Sequence, residues 1–185
     1  MRRLWVIGLA ALAVSGISSV AAAKPLDKGT FHDESSEVVE DFCDVGGLTA
    51  QVDSVVDGRF SAKTKGTDQL VYFAQHIDIS NVYTNVDTEA FVTESIRFID
   101  KDLKVTDNGD GTLSVLILST GNATISGEDG NAIGRNPGQV RFLLVVDHGG
   151  TPTDPSDDTG ISFEQVKGST GRSDDFCEVV VPALT

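Results

Sequence analysis

The chain has 185 residues, of which 14 are lysine or arginine and 28 are aspartate or glutamate, giving a formal net charge of −14 at pH 7. A surface this acidic is a poor partner for nucleic acid and for anionic membranes, and we predict no nucleic-acid partner. The length suffices for one domain with a hydrophobic core of its own.

The N-terminal segment, residues 1–23, has the features of a cleaved secretory signal. Arg2 and Arg3 precede an almost wholly apolar run from Leu4 to Val14, and three alanines ending at Ala23 supply the small residues of a cleavage site. The apolar run is about half the ~20 residues that a membrane-spanning helix needs. We therefore predict a secreted protein with no transmembrane segment in the mature chain.

The mature chain is predicted to consist of a flexible arm, residues 24–29, and a single all-β domain, residues 30–185. Its only two cysteines, Cys43 and Cys177, both follow an Asp-Phe dipeptide and precede an acidic residue and a valine. Cysteines of a secreted protein most often pair, and a reactive cysteine would need a nearby base instead. We predict a Cys43–Cys177 disulfide that joins two paired strands or strand ends.

Alternation of apolar and polar residues predicts about eight to ten antiparallel strands. The clearest is Ala50–Thr64, where Gly58 is expected to mark a bend or bulge. In Phe91–Val105 the apolar set changes side between Phe98 and Ile99, which predicts a bulge there. The predicted strands cover residues 30–40, 50–64, 70–84, 91–105, 113–118, 122–126, 139–148, 161–167 and 176–181.

Two loops stand out between these strands. Asp107–Gly111 holds Asn-Gly and Asp-Gly pairs, which favour a tight hairpin turn, although the stretch also resembles part of a calcium loop. The turn is the preferred interpretation, because the twelfth position of a calcium loop would be Leu118 instead of a glutamate. Gly149–Gly160 is the longest irregular segment and the best candidate for a functional loop, with a solvated connection as its alternative.

Long alternating strands with short turns favour a closed or nearly closed β-barrel, and a β-sandwich is the alternative. Four stretches of the chain resemble a group of uncharacterised secreted proteins of actinobacteria. That resemblance implies a compartment and a source but no activity. More loosely, the meander of long strands is similar in architecture to the small barrels of allene oxide cyclase and dirigent proteins. The four stretches are residues 107–112, 120–124, 135–142 and 147–154.

Motifs for nucleophilic catalysis, metal binding, phosphate binding and dinucleotide binding are absent from the sequence. We therefore assign no catalytic residue, metal or cofactor. Five polar residues nevertheless fall on strand faces predicted to point inward, as they would around a cavity that holds a small ligand. The alternative is that they satisfy backbone groups at strand ends or bulges. These candidate cavity-lining residues are Ser54, Gln75, Asn81, Tyr83 and His148.

The function we predict is a non-enzymatic secreted β-barrel that binds a small apolar ligand or an extracellular partner whose identity the sequence does not give. One alternative is a cofactor-free isomerase or cyclase that uses Tyr83, His76 or His148 as acid or base in the barrel. A purely structural extracellular role is the other alternative, and it would require no cavity.

Overall fold

The computed structural model describes residues 26–185 and contains one antiparallel sheet of seven strands in the order β1 to β7. Each strand pairs with the next one along the chain, so the predicted all-β meander is confirmed. One α-helix, α1, follows the last strand. The elements are β1 Asp27–Val39, β2 Ala50–Lys65, β3 Leu70–Asn85, β4 Phe91–Asp107, β5 Thr112–Ser126, β6 Ala132–Asp147, β7 Thr159–Lys167 and α1 Phe176–Leu184.

The strand count is lower than predicted for two reasons. The two segments expected at 113–118 and 122–126 form one continuous strand, β5, and the segment expected at 176–181 is helical. In addition, β1 begins at Asp27 and pairs there with Ala62, so residues 27–29 belong to the sheet and not to a flexible arm. The predicted signal, residues 1–23, lies outside the described residues.

The sheet is not closed into a barrel. Within residues 26–185, β1 pairs only with β2, and β7 pairs only with β6, so these two strands form the edges. Every residue of β7 is exposed, as is nearly all of β1. No helix in this part of the chain has the length and hydropathy needed to span a membrane.

The bulge predicted in β4 lies further along the strand than expected. The register shifts between Asp102 and Lys104, whereas Phe98 and Ile99 pair regularly with Gly121 and Thr120. Consequently Asp100 and Asp102 stay on the same face as Phe98, and the bulged Leu103 returns Val105 to that face. No bulge occurs at Gly58, because Gly58 pairs in register with Phe31 and Ile77.

The tight turn between β4 and β5 agrees better with the sequence. At the predicted hairpin, Gly109 and Gly111 have positive φ angles of 76° and 93°, a conformation that glycine adopts at little cost. The Asp107 side chain accepts a hydrogen bond from the Gly109 amide (2.8 Å), and that of Asp110 accepts one from the Thr112 amide (3.1 Å). The hairpin prediction is therefore confirmed, and these carboxylates act as turn-stabilising acceptors.

The larger hydrophobic core lies at one end of the sheet, under α1, and we call it the disulfide-end core. Ile125, Val92, Val180 and Leu184 are fully buried in it, and the rings of Phe42, Tyr83 and Phe176 contact one another with centroids 5.1–6.2 Å apart. Its buried members are Phe42, Leu48, Ala50, Tyr83, Val92, Ile125, Val180 and Leu184.

The Cys43–Cys177 disulfide is confirmed, with Cα atoms 5.6 Å apart, but the elements it joins are not strands. Cys43 lies in a short 3₁₀ turn, Phe42–Asp44, with a positive φ of 57°, which a strand does not allow. Cys177 lies in the first turn of α1, whose N-cap is Asp175. The disulfide therefore anchors the helix to the turn beside it, over the disulfide-end core.

Candidate functional site

A cavity of about 260 Å³ lies toward the other end of the sheet, away from the disulfide. Its walls come from β3, β4, β5 and β6 and from the loop between β6 and β7. Next to it, Leu70, Val105, Leu113 and Val146 form a second, smaller buried cluster. The cavity is lined by Val71, Phe73, Ala74, Gln75, Asp100, Asp102, Val105, Leu113, Val115, Ile117, Leu144, Val146, Pro152, Pro155 and Asp158.

The cavity forms where β3 and β4 separate. Their backbone pairing ends at Ala74 and Lys101, although both strands continue beyond that pair. Side chains then replace the missing backbone partners: the Phe73 amide donates to Asp102 Oδ2 (2.7 Å), and the Val105 amide donates to the Tyr72 hydroxyl (3.2 Å). These bonds give partners to two backbone amides that the divergence would otherwise leave unpaired.

The predicted functional loop contributes to the cavity wall through Pro152, Pro155 and Asp158. Internal hydrogen bonds fix its conformation, because Thr151 Oγ1 donates to Asp157 Oδ2 (2.6 Å) and the Asp154 amide donates to the Thr151 carbonyl (2.9 Å). The His148 amide also donates to the Gly111 carbonyl (3.1 Å), which ties the start of the loop to the neighbouring hairpin. The loop is therefore a structured wall of the cavity.

Three aspartates in this mostly apolar lining were not predicted from the sequence. Burial raises the pKa of Asp102, although the hydrogen bond from the Phe73 amide partly offsets that effect. Burial, followed by the negative charge of Asp157, raises the pKa of Asp158. Among the described residues, Asp100 Oδ1 and Asp158 Oδ1 are buried and have no hydrogen-bond partner. Leaving a buried acceptor unpaired costs about 1–3 kcal/mol, and more when it is charged.

Of the five residues predicted to line a cavity, Gln75 does so. Its side chain donates to Asp100 Oδ2 (3.0 Å), its cross-strand neighbour. Ser54 lies in a shallow surface depression beside Glu34 and Ser35, away from the cavity. His148 is buried just after β6, and its Nδ1 accepts a hydrogen bond from the Gly150 amide (3.2 Å).

The remaining two, Asn81 and Tyr83, form a buried polar network at the edge of the disulfide-end core. Tyr83 Oη and Asn81 Nδ2 both donate to Glu94 Oε2, at 2.8 and 3.0 Å. Burial, and then the hydrogen bond to the Glu94 carboxylate, raises the pKa of Tyr83. The hydroxyl therefore stays protonated at neutral pH and acts as a donor that satisfies Glu94.

The three acid-base candidates of the enzyme alternative lie in different places. Tyr83 is in the disulfide-end core, and His148 is buried at the loop after β6. His76 lines a shallow, charged depression on the opposite face of the sheet, beside Asp57, Asp78 and Arg97. Acid-base catalysis needs such groups within reach of a shared substrate, and this arrangement does not bring them together.

His32 shares that charged depression and provides a pH-sensitive contact between β1 and β2. Its Nδ1 is 2.8 Å from Asp57 Oδ1, and its Nε2 is 3.1 Å from Glu34 Oε1. The hydrogen bond to Asp57 is the largest cause that raises the pKa of His32, and the bond to Glu34 comes next. The contact therefore stabilises the fold at pH values below the unfolded pKa of histidine and is lost as the pH rises through the folded one.

We expect the pKa of His32, measured by NMR titration, to lie above the ordinary histidine value. Asp57→Asn should lower it more than Glu34→Gln, because the Asp57 hydrogen bond is the larger cause. Equal effects of the two substitutions, or none, would contradict this assignment.

Within residues 26–185, no group of three or more histidine, cysteine, aspartate or glutamate side chains is arranged to hold a metal ion. The three cavity aspartates instead project among apolar side chains. Such a lining suits an organic molecule that has an apolar body and a polar group.

Comparison of the chain with protein-family models, with curated proteins and with solved structures finds no match.

Proposed function

We propose that this protein is a secreted, non-enzymatic binding protein that holds a small molecule with an apolar body in the cavity between β3, β4, β5, β6 and the β6–β7 loop. The observation that carries the proposal is the cavity itself, which is mainly apolar and has a few polar groups at defined positions. Pockets of this character are typical small-molecule sites. At about 260 Å³, the cavity is slightly smaller than their usual size range of ~300–1,000 Å³, which favours a small ligand.

The structural context also supports ligand binding. The cavity walls are preformed, because side chains satisfy the backbone where β3 and β4 separate and hydrogen bonds fix the loop. A preformed pocket spares a ligand the free-energy cost of ordering the protein on binding.

Secretion is the second part of the proposal. The Cys43–Cys177 disulfide supports it, because such bonds persist mainly in oxidising compartments. The predicted signal at residues 1–23 and the resemblance to secreted actinobacterial proteins point the same way. Mass spectrometry of the culture medium and of the cells tests it: we expect the protein in the medium with an N-terminus near Ala23, and protein retained in the cells with an intact N-terminus would be the contrary result.

Filling the cavity should weaken binding of a neutral probe with an apolar chain. We expect octanol to bind the wild-type protein in calorimetric titration and Val115→Trp to weaken that binding at least about tenfold, since the indole would occupy the cavity. Ile117→Trp on the same strand is a second cavity-filling variant.

Val140→Trp is the matched control. Val140 is also a half-buried valine on the same face of the sheet, but it lines a separate shallow depression with Ile96 and Phe98. The Val140→Trp variant should bind octanol as tightly as the wild-type protein does. Failure of the wild-type protein to bind octanol, or equal binding by all four proteins, would refute the proposed site.

A further inference from the structure

The two buried carboxylate oxygens without a partner, Asp100 Oδ1 and Asp158 Oδ1, both belong to residues that line the cavity. They come from different walls, since Asp100 lies on β4 and Asp158 lies in the loop before β7. An ionised carboxylate only accepts hydrogen bonds, so each of these oxygens requires a donor.

The hydrogen bonds that the protein donates to Asp100 and Asp102 end on other oxygens than Asp100 Oδ1. The Gln75 amide donates to Asp100 Oδ2 (3.0 Å), and the Phe73 amide donates to Asp102 Oδ2 (2.7 Å). The cavity therefore has acceptor capacity in excess of its donors. A bound molecule that complements it must bring N–H or O–H groups of its own.

The charges around the cavity further restrict the chemistry of that molecule. On the β4 wall, the negative charge of Asp100 raises the pKa of Asp102, and the positive charge of Lys65 lowers it. On the loop wall, the negative charges of Asp157, Asp154 and Asp147 each raise the pKa of Asp158, and only His148 lowers it through charge. Carboxylates thus exceed cations on both walls, which favours a positively charged ligand and disfavours an anion.

The cation that fits is organic. The residues that the structure describes include no metal-holding group of three or more acidic, histidine or cysteine side chains, and most of the cavity lining is apolar. A primary ammonium, like that of a lysine side chain, has three N–H donors on one nitrogen. It can therefore donate hydrogen bonds to acceptors on two walls at once. Hydrogen bonds between ammonium and carboxylate are among the stronger kinds in proteins.

We infer that the ligand is a primary amine with an apolar body: its ammonium group donates hydrogen bonds to Asp100 and Asp158, and its apolar part contacts Val115, Leu144 and Val146. This inference rests on the proposed ligand-binding function and specifies its ligand class. The overall negative charge of the protein, −14, would also attract such a cation toward the cavity.

Three probes of equal chain length test the inference by calorimetric titration at neutral pH: octylamine, octanol and octanoate. We expect the wild-type protein to bind octylamine at least about tenfold more tightly than octanol, and octanol more tightly than octanoate. Asp100→Asn and Asp158→Asn should each reduce the preference for octylamine over octanol. Asp33→Asn, which removes an exposed carboxylate from β1, should leave that preference unchanged.

The outcomes separate this inference from the function on which it rests. Binding of octanol without a preference for octylamine would overturn the amine assignment and leave the cavity as an apolar site. Binding of octylamine that persists in Val115→Trp would also overturn it, because the amine would then bind the acidic surface. Such surface binding would weaken strongly with added salt, whereas a buried ion pair is screened much less. Failure of octanol to bind the wild-type protein would refute the proposed function itself.

Discussion

Replacing both Cys43 and Cys177 with alanine is expected to lower the free energy of unfolding by about 2–5 kcal/mol, measured by urea denaturation. The disulfide closes a loop with a sequence separation of 134 residues, and constraining so long a loop strongly reduces the conformational freedom of the unfolded chain. It also anchors α1, which supplies the fully buried Val180 and Leu184 to the disulfide-end core. Without the bond, only noncovalent contacts hold this helix in place.

Reduction of the wild-type protein provides the control for that variant. Dithiothreitol should lower the stability of the wild-type protein to about the level of the double-alanine variant and should leave the variant unchanged. Equal stability of the oxidised and reduced wild-type protein would contradict a stabilising role for the disulfide.

Leu184→Ala should be the most damaging single truncation at the C-terminus, with a loss of about 2–5 kcal/mol in the free energy of unfolding. Leu184 is fully buried in the disulfide-end core, and truncating a buried leucine both removes apolar contact and leaves a cavity. Its backbone carbonyl also accepts a hydrogen bond from Asn85 Nδ2 (2.9 Å), which holds the end of α1 against β3.

Leu103→Ala is the matched comparison, because Leu103 is 38% exposed at the bulge of β4. It should change the stability much less than Leu184→Ala. If the two substitutions cost the same, α1 would not be part of the core, and the disulfide would join two weakly packed segments.

The strands were predictable because each alternates apolar and polar residues over a long stretch. In β2, Val52, Val56 and Phe60 share the face that the alternation indicates. In β5 the apolar pattern weakens at Ser119–Gly121, and the sequence therefore suggested two strands. Backbone pairing with β4 and β6 continues through this stretch and makes it one strand, a tertiary effect that local pattern does not reveal.

The helix was missed because its three consecutive valines, Val179–Val181, favour a strand locally. The sequence did carry a contrary signal. Asp175 and Glu178 have the spacing of a helix N-terminus, and Asp175 Oδ1 does accept a hydrogen bond from the Glu178 amide (3.0 Å). Phe176, Val180 and Leu184 also follow helical spacing, and burial of the last two outweighs the strand preference.

The cavity was only partly predictable, since Gln75 was identified and the aspartates beside it were not. A bulge placed between Phe98 and Ile99 would turn Asp100 outward. The actual bulge after Asp102 keeps both aspartates on the inner face. Bulge position depends on how neighbouring strands pair, so sequence alternation alone could not fix it. Asp158 lies in an irregular loop, where no periodic pattern indicates direction.

Methyl NMR of the wild-type protein titrated with octanol tests the central claim, that the cavity is a ligand site, most directly. The disulfide-end core serves as the control, because it packs on the same sheet as the cavity but does not border it. We predict shift changes at Val71, Val115 and Leu144 and none at Val92, Val180 or Leu184. Changes confined to the disulfide-end core, or no changes at all, would contradict the account.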